Sequence, residues 1–414
     1  MPRTKLVCYA LLVVLMLTMP AAAETTIRVW FADTAEPVMK VVRESLIPEF
    51  EKTHPGTRLK VEFIPWGELS PKLLTAFAGG IAPDVFMHGQ AATAGFAASN
   101  QVAPLDKYIA QWDDAADFGV TLNSGEYLGK RYLVPLYGSA NLLVYRTDFF
   151  QEVGLDPNSP PTDWDELASA AQRLAIKKGN RLVREGIDLS SAGTSGQQTW
   201  STFLWQNGGN LFNTDYTKAA FNDTKGVETL EFYTSLMDGN IADHQQAEAV
   251  GSLPPLAAGT VAMQFAGTEI LGGFKTYAPD KYPFVKVGVP LQKQDKAAWY
   301  SFAGLFLSQQ SANKDAAWEA IQFLTSQASL EQIIKAVGGL PPRNSMQNAG
   351  FIQEDPNLAM FLRGMDAAKF NPNIPQWTKV RDILARYIER AAFGASTPKE
   401  ALDAAADEVN RILQ

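Results

Sequence analysis

The first 23 residues limit what the rest of the chain can fold into, because they have the pattern of a secretory signal. A cationic start with Arg3 and Lys5 is followed by an apolar run over residues 6–19 and by three alanines at 21–23. This order is typical of a signal peptide with an A-x-A cleavage site. The run is shorter than the about 20 apolar residues that a membrane-spanning helix needs. We therefore expect cleavage before Glu24 and a periplasmic product.

The mature chain is too long for a single hydrophobic core. Removal of 23 residues from 414 leaves 391, more than the about 250–300 residues at which one core stops growing. The single cysteine, Cys8, lies in the signal, so the exported chain has neither a disulfide nor a thiol and depends on packing for its stability. Two domains are expected, and cysteine nucleophiles and thiolate metal sites are excluded.

The charge balance excludes one class of partner. The formal net charge is -8, and it becomes -10 once Arg3 and Lys5 are removed. Proteins that bind nucleic acids carry clustered Lys and Arg and a basic balance, and this chain has neither. We expect no nucleic-acid partner.

Hydrophobic spacing along the first 90 residues of the mature chain predicts strands and helices in alternation. The predicted elements are a strand at 26–31, a helix at 38–52, a strand at 59–63, a helix opened by Ser70 and Pro71 and closed at 79–80, and a strand at 84–88. This order predicts an α/β domain with a largely parallel sheet.

The pattern begins again after Gly129. It predicts strands at 132–136 and 142–145, a helix after Thr162, a polar turn at 193–196, a helix at 226–237, strands at 260–265 and 285–291, and mainly helices after 311, with a turn at 338–343 and a loop around 372–375. The tail over 377–413 has no strand, so we expect it to pack across a sheet formed earlier.

The chain lacks the usual catalytic and metal-binding patterns. His54, His88 and His244 are far apart, and neither an i, i+4 histidine pair nor a G-x-S-x-G motif occurs. We expect no catalytic residue, no metal and no cofactor.

Carboxylates leave one enzymatic alternative open. A glycoside hydrolase needs two acids about 5 to 10 Å apart in space, which sequence spacing does not reveal. The available acids are Glu36, Asp84, Glu269 and Asp382. We interpret each as a cap, a turn residue or a surface charge, and keep a secreted carbohydrate-active hydrolase as the alternative.

Aromatic residues beside polar loops indicate a sugar site. A sugar ring has an apolar C–H face and a rim of hydroxyls, so its site needs flat aromatic side chains together with hydrogen-bonding groups. Suitable aromatic residues are Trp66, Tyr137, Trp200, Trp205, Trp299, Tyr300 and Trp377. Trp164, Trp205 and Trp318 lie on helical faces among Leu and Phe, where we expect core packing.

Several collinear segments resemble a known family. They are LIPEFEKTHPGTRLKVEFIPWGEL, LLTAFAGGIAPDVFMHG, GKRYLVPLYGSANLLVYRTDFFQEVGLDPNSPPTDWDEL, FLWQNGG, GGLPPRN and TPKEALDAAADEVNRIL. In this order they resemble the family 1 extracellular solute-binding proteins of ABC sugar importers, the relatives of maltose-binding protein. The resemblance covers nearly the whole mature chain.

The resemblance implies a two-lobed α/β fold of the periplasmic-binding-protein type (type II), with a hinge and an interlobe ligand cleft. Its crossovers fall near residues 134–135, 290–297 and 341–343. The N-terminal lobe would combine 24–135 with 293–342, and the C-terminal lobe 136–292 with 343–414. The new start of the hydrophobic pattern after Gly129 agrees with the first crossover.

The resemblance also implies the residues of the cleft. By local match they are Phe31, Asp33, Trp66, His88, Gln90, Tyr137, Ser139, Trp200, Glu269, Trp299, Tyr300, Arg343 and Trp377. One position departs from the family pattern. Many relatives have Gly-x-Trp where this chain has Gly267, Thr268 and Glu269, so a carboxylate stands where a stacking ring is usual. This departure favours a ligand other than the usual malto-oligosaccharide.

The function implied is capture of a sugar, closure of the hinge and delivery to the membrane permease subunits of an ABC importer, by a monomer that leaves its ligand unchanged. A polyol, or a phosphorylated or acidic polyol, is the alternative ligand. The acidic balance and Glu269 disfavour an anion, whereas Arg343 favours one.

Overall fold

The computed structural model describes residues 24–179, 181–243, 247, 249–251 and 253–414. The predicted signal with Cys8, and also His244, lie outside the described residues. The strands are β1 (Thr25–Phe31), β2 (Thr57–Phe63), β3 (Val85–Gly89), β4 (Glu126–Tyr127), β5 (Lys130–Arg131), β6 (Leu133–Arg146), β7 (Ile176–Lys178), β8 (Arg181–Arg184), β9 (Met263–Ala266), β10 (Val285–Val287), β11 (Ala298–Leu307) and β12 (Ala368–Lys369).

The α-helices are α1 (Glu36–Val41), α2 (Ile47–Thr53), α3 (Trp66–Ala78), α4 (Thr93–Ala98), α5 (Asp106–Ile109), α6 (Thr147–Glu152), α7 (Trp164–Leu174), α8 (Gly193–Gln206), α9 (Thr224–Ser235), α10 (Pro255–Ala258), α11 (Glu269–Tyr277), α12 (Lys314–Leu324), α13 (Gln327–Val337), α14 (Gly350–Gln353), α15 (Pro356–Arg363), α16 (Trp377–Ala392) and α17 (Pro398–Leu413). A π-helical segment, Val42–Leu46, joins α1 to α2. Short 3₁₀ segments are Gln90–Ala92, Asp113–Gly125, Tyr282–Phe284, Asn344–Met346 and Gly364–Ala367.

The main sheet has mixed strand directions. Its order is β10-β6-β11-β3-β1-β2, with β9 also paired to β6 and β12 also paired to β11. β1 is parallel to β2 and β3, whereas β11 is antiparallel to both β3 and β6. The prediction of a parallel sheet is therefore confirmed for the first three strands and is wrong for the sheet as a whole.

Two long strands connect the two ends of this sheet. β6 and β11 pair from Leu133 opposite Phe306 to Asn141 opposite Trp299. One end of β11 pairs with β3 and its other end with β12, while the far end of β6 pairs with β9 and β10. A third segment runs beside them, because Gly138 and Leu340 exchange two backbone hydrogen bonds of 2.7 and 2.8 Å.

The first long strand differs from its prediction as two strands. β6 continues through Gly138, Ser139 and Ala140, small residues that weaken a strand pattern. Pairing with β11 keeps this stretch extended. A Cβ at Gly138 would lie 2.9 Å from the Phe302 ring and 3.3 Å from Leu340, so glycine permits the close approach of three chains there.

Buried side chains form a core on either side of the crossing strands. The first core packs β1–β3 against α1–α3, α12 and α13, and includes Phe31, Phe86 and Trp318. The second core packs α7–α9 against α16 and α17, and includes Trp164 and Trp200. A smaller third core lies between β10, α11 and α15. Trp164, Trp205 and Trp318 are 3%, 7% and 6% exposed, which confirms the core packing expected for them.

Two helix starts differ from the predictions. α3 begins at Trp66, so Pro71 lies inside it and removes one helical hydrogen bond rather than opening the helix. The polar turn expected at 193–196 is instead the first turn of α8. Gly196 serves close packing, because a Cβ there would lie 2.8 Å from the Ser190 carbonyl oxygen.

Candidate functional site

A cavity of about 620 Å³ lies where the first and second cores meet at the crossing strands. Eight of the thirteen expected cleft residues line it: Asp33, Trp66, His88, Tyr137, Ser139, Glu269, Trp299 and Trp377. They come from the ends of β1 and β3, from β6 and β11, and from the first residues of α3, α11 and α16. The fold thus assembles side chains that are more than 300 residues apart in the chain.

The first wall of the cavity, which we define by Trp66, His88 and Tyr137, carries aromatic rings. Trp66 is 44% exposed, and its ring lies perpendicular to the His88 ring with centroids 6.1 Å apart. Burial, with a smaller contribution from the positive charge of Arg381, lowers the pKa of His88 to about 4. The imidazole is therefore neutral at neutral pH.

Hydrogen bonds fix the orientation of His88. Its Nδ1 faces the Gly89 carbonyl oxygen at 3.4 Å, and its Nε2 lies 3.0 Å from Ser70 Oγ. Because a carbonyl only accepts, Nδ1 carries the proton and Nε2 accepts from the Ser70 hydroxyl. The ring is therefore held in place beside Trp66 by groups of the protein.

Asp33 and Tyr137 add a hydrogen-bond acceptor and a donor. Asp33 follows β1, and its Oδ1 accepts the Ala35 N–H at 2.8 Å. Burial raises the pKa of Asp33. It also raises the pKa of Tyr137, and the negative charge of Asp33 adds to that shift. The Tyr137 hydroxyl accordingly keeps its proton and can donate to a ligand.

The second wall of the cavity, which we define by Glu269, Trp299 and Trp377, carries a carboxylate. Glu269 is the first residue of α11, where the helix dipole favours a negative charge, and its Oε1 accepts the Gly267 N–H at 3.1 Å. The side chain is exposed and lines the cavity, yet the surrounding protein desolvates the carboxyl group enough to raise its pKa.

The two tryptophans of the second wall are mostly buried. Trp299 is 8% exposed, and its Nε1–H donates to Asn371 Oδ1 at 3.1 Å. Trp377 is 3% exposed and belongs to the second core. Each ring therefore offers the cavity only part of its surface.

The structure places three expected aromatic residues away from the cavity. Phe31 and Trp200 are fully buried, the first in the first core and the second in the second core. Tyr300 is 1% exposed and donates its hydroxyl proton to the Phe361 carbonyl oxygen at 2.6 Å. Trp200 had been expected beside a loop, but it lies in the middle of α8 and turns inward.

Two expected polar residues also have structural roles elsewhere. The Gln90 side-chain oxygen accepts the Phe302 N–H at 3.0 Å and is buried. Arg343 is 2% exposed. Its guanidinium donates to Asp117 at 3.2 Å, to Asp114 at 3.0 Å and to the Thr325 carbonyl oxygen at 2.9 Å. These contacts engage Arg343 outside the cavity, so it offers no charge to a ligand there.

Several residues of the cavity were not expected from the sequence: Ser70, Thr194, Gln198, Asn371, Thr378 and Arg381. Arg381 could have been found, because it lies four residues after Trp377 and shares its helix face. It donates to Asp382 at 2.9 and 2.7 Å. The others lie on α3, on α8, on α16 and in the loop before α16, without a local pattern that marks them.

Other features of the described residues do not compete with this cavity. A groove of about 690 Å³ lies beside Pro160, Pro161 and Glu166, but it contains none of the expected site residues. Over the ranges described above, no group of three or more His, Cys, Asp or Glu side chains is arranged to hold a metal ion. Within the same ranges, helices long and apolar enough to cross a membrane are absent.

Two α/β halves around a cavity of aromatic rings and hydrogen-bonding groups define a two-lobed binding protein, and comparison with known proteins identifies its family. The model of the bacterial extracellular solute-binding protein family matches residues 32–331. The chain belongs to this family.

Known relatives and solved structures extend the comparison. An ABC transporter solute-binding protein of Thermotoga lettingae, solved with α-D-tagatose bound, is 26% identical and superposes with a TM-score of 0.84 over 94% of this chain and 100% of that chain. The sugar-binding protein MalE of Xanthomonas citri is 24% identical, with a TM-score of 0.82 over 94% and 97% of the two chains. The sn-glycerol-3-phosphate-binding periplasmic protein UgpB of Pectobacterium atrosepticum is 24% identical over 100% of this chain and 96% of its own length.

These comparisons confirm the family and the two-lobed α/β fold that the sequence resemblance implied. The family and the named relatives are binding proteins rather than enzymes. That Glu269 and the other residues of the cavity contact a ligand stays a prediction.

Proposed function

We propose that the protein binds a sugar or a sugar-like molecule in the cavity and delivers it to an ABC importer. The observation that carries the proposal is the combination of rings and polar groups on facing walls. Trp66 offers an exposed aromatic face, while Asp33 and Glu269 accept hydrogen bonds from hydroxyls. The volume of about 620 Å³ falls in the range of about 300–1,000 Å³ that is usual for small-molecule sites. The tagatose-bound relative supports a sugar ligand.

We infer that ligand binding closes the two lobes about the crossing segments. The lobe assignment 24–135 with 293–342, and 136–292 with 343–414, stays a proposal. The positions of the two main cores on either side of β6 and β11 support it. Met346, however, packs in the first core, so the third crossing would extend a few residues past Arg343. Periplasmic binding proteins are known to close by hinge motion.

A polyol is the second candidate ligand, and similarity to the glycerol-3-phosphate-binding relative favours it. A phosphorylated polyol fits the cavity less well. Arg343 is occupied by Asp114 and Asp117, and Arg381 by Asp382. The cavity presents Asp33 and Glu269, which would repel a phosphate.

We propose binding without chemical reaction. Of the four acids considered for a hydrolase, Glu269 lines the cavity. Asp84 accepts hydrogen bonds from the Arg28 backbone and from Ser311, Asp382 pairs with Arg381, and Glu36 lies exposed in the first turn of α1. These contacts give the other acids structural or surface roles.

The site of action is also part of the proposal. We propose export by the signal, cleavage before Glu24, a periplasmic monomer, and membrane permease subunits as the partners. Mass spectrometry of the exported protein and light scattering would test the first residue and the oligomeric state.

The decisive experiment for the proposed function is a thermal-shift screen. The chain from Glu24 onward is unfolded and refolded to remove any bound ligand, then heated with monosaccharides, oligosaccharides and polyols. A ligand at 100 times its dissociation constant stabilises by about 2.7 kcal/mol. Stabilisation by a sugar, with the sugar recovered unchanged, supports the proposal. An unshifted melting temperature throughout the panel, or recovery of hydrolysed sugar, would contradict it.

A further inference from the structure

A second, more polar chamber adjoins the main cavity. Its volume is about 330 Å³, and it shares Ser139, Gln198, Glu269 and Trp299 with the main cavity. Its remaining walls include Asp188 and Gln264, which are paired in a parallel β-bridge between neighbouring segments. A ligand in the main cavity can therefore extend a substituent into this chamber.

The chamber contains hydrogen-bond acceptors that the protein does not satisfy. Asp188 is 6% exposed, and the contact found for its carboxylate is a long one of 3.4 Å from the Ala247 N–H. Gln264 Oε1 is buried and has no hydrogen-bond partner among the described residues. A buried acceptor without a partner costs about 1–3 kcal/mol, so a group from outside is expected to complete it.

The chamber offers no positive charge to balance its carboxylates. None of the described residues that line it is Lys, Arg or His. Burial raises the pKa of Asp188 to about 6, and desolvation raises the pKa of Glu269 as well. The negative charge of Asp188 also contributes to a raised pKa of nearby Glu185. The Asp188 carboxylate is buried, and a buried carboxylate of this kind is stabilised by a cation.

We propose that the chamber receives a protonated amine of the bound ligand, with Asp188, Glu269 and Gln264 Oε1 as its acceptors. The ligand class is then an amino sugar or a related amino polyol, and this inference rests on the proposed sugar-binding function. An ammonium group has three donors and no acceptor, which matches three acceptors. A phosphate or carboxylate in the same place would meet two like charges.

Matched pairs of sugars test the inference on the wild-type protein. Glucosamine is compared with glucose, and galactosamine with galactose, by titration calorimetry at neutral pH. N-acetylglucosamine keeps the nitrogen but removes its charge. We expect each amine to bind at least about tenfold tighter than its neutral partners, a difference of 1.4 kcal/mol. Equal or tighter binding of the neutral sugars would overturn the inference and leave the proposed function intact.

Three variants test which residues cause the preference for the amine. Asp188→Asn and Glu269→Gln remove one charge each while keeping the side-chain shape, and Asp407→Asn removes an exposed charge on α17 as the control. We expect Asp188→Asn to reduce the preference for the amine over its neutral partner about tenfold, and Asp407→Asn to leave that preference unchanged. A preference that persists in both Asp188→Asn and Glu269→Gln would overturn the inference. Absence of binding by every sugar, charged or neutral, would overturn the proposed function as well.

Discussion

The two walls of the cavity present different chemistry to a ligand. The first wall holds Trp66 beside a neutral His88 and a protonated Tyr137. The second wall holds Glu269 and continues into the chamber that contains Asp188. This difference indicates that the first wall contacts the apolar face of a ring and that the second wall accepts hydrogen bonds from the substituents of the ring.

The walls also differ in how their aromatic residues are supported. Trp66 is 44% exposed, whereas Trp377 is 3% exposed and part of the second core. A ring that is free on one face can be removed without damage to the fold, and a buried ring cannot. Replacement of a tryptophan should therefore mainly weaken ligand binding at Trp66 and mainly reduce the stability of the fold at Trp377.

The largest expected effect is loss of stability in Trp377→Ala. Removal of a buried tryptophan costs about 3–5 kcal/mol, which denaturant unfolding measures directly. Trp66→Ala is the matched control and should stay within about 0.5 kcal/mol of the wild type. Equal stability of the two variants would break the comparison.

Glu269→Gln should weaken ligand binding without unfolding the protein. A hydrogen bond to a charged acceptor contributes about 1.5–3 kcal/mol, so the dissociation constant should rise about 10- to 100-fold in calorimetric titration. Glu36→Gln, an exposed position on α1, is the control. Unchanged affinity in Glu269→Gln would show that the ligand does not use the Glu269 carboxylate.

Trp66→Ala should weaken binding less than Glu269→Gln does. An aromatic contact adds about 0.5–1.5 kcal/mol beyond the area that it buries, which corresponds to about two- to twelvefold in the dissociation constant. Trp66→Phe keeps a flat ring and should recover part of the affinity. Wild-type affinity in the Trp66→Ala variant would show that the ligand does not use the first wall.

The smallest expected effect concerns how the stability of the protein depends on pH through Glu185. Burial, with the charge of Asp188 adding to it, raises the pKa of Glu185 to about 8. Between about pH 4.5 and pH 8 the folded carboxyl therefore holds a proton that the unfolded chain has released, and stability falls as the pH rises through this window. Glu185→Gln should raise the melting temperature at pH 8 by about 1 °C, equivalent to about 1 kcal/mol, and change it little at pH 4.5. The exposed Glu354→Gln is the control, and a parallel pH dependence in all three proteins would contradict the assignment.

The sequence predicted the first half of the fold better than the second. β1, β2 and β3 alternate with helices in short local patterns, and the structure confirms them. β11 was missed because its apolar run 298–307 shows no strict alternation and pairs with β6, which is distant in the chain. Pairing between distant segments leaves no local signal.

The family resemblance implied part of the cavity. It pointed to Asp33 and His88 near the ends of β1 and β3, and the structure brings both to the cavity, whereas Phe31 and Gln90 at the same strand ends do not line it. Trp200 and Trp66 look alike in sequence, since each is near small and polar residues. Only the start of α8 at Gly193 shows that Trp200 lies inside a helix and faces the core. Arg343 likewise looked available until the fold placed Asp114 and Asp117 beside it.

A crystal structure with the sugar that binds most tightly tests the central claim most directly. The account predicts electron density for the ligand in contact with both Trp66 and Glu269, between the two walls. Density confined to another concavity, such as the groove beside Pro160 and Glu166, with the cavity between the cores empty, would contradict it.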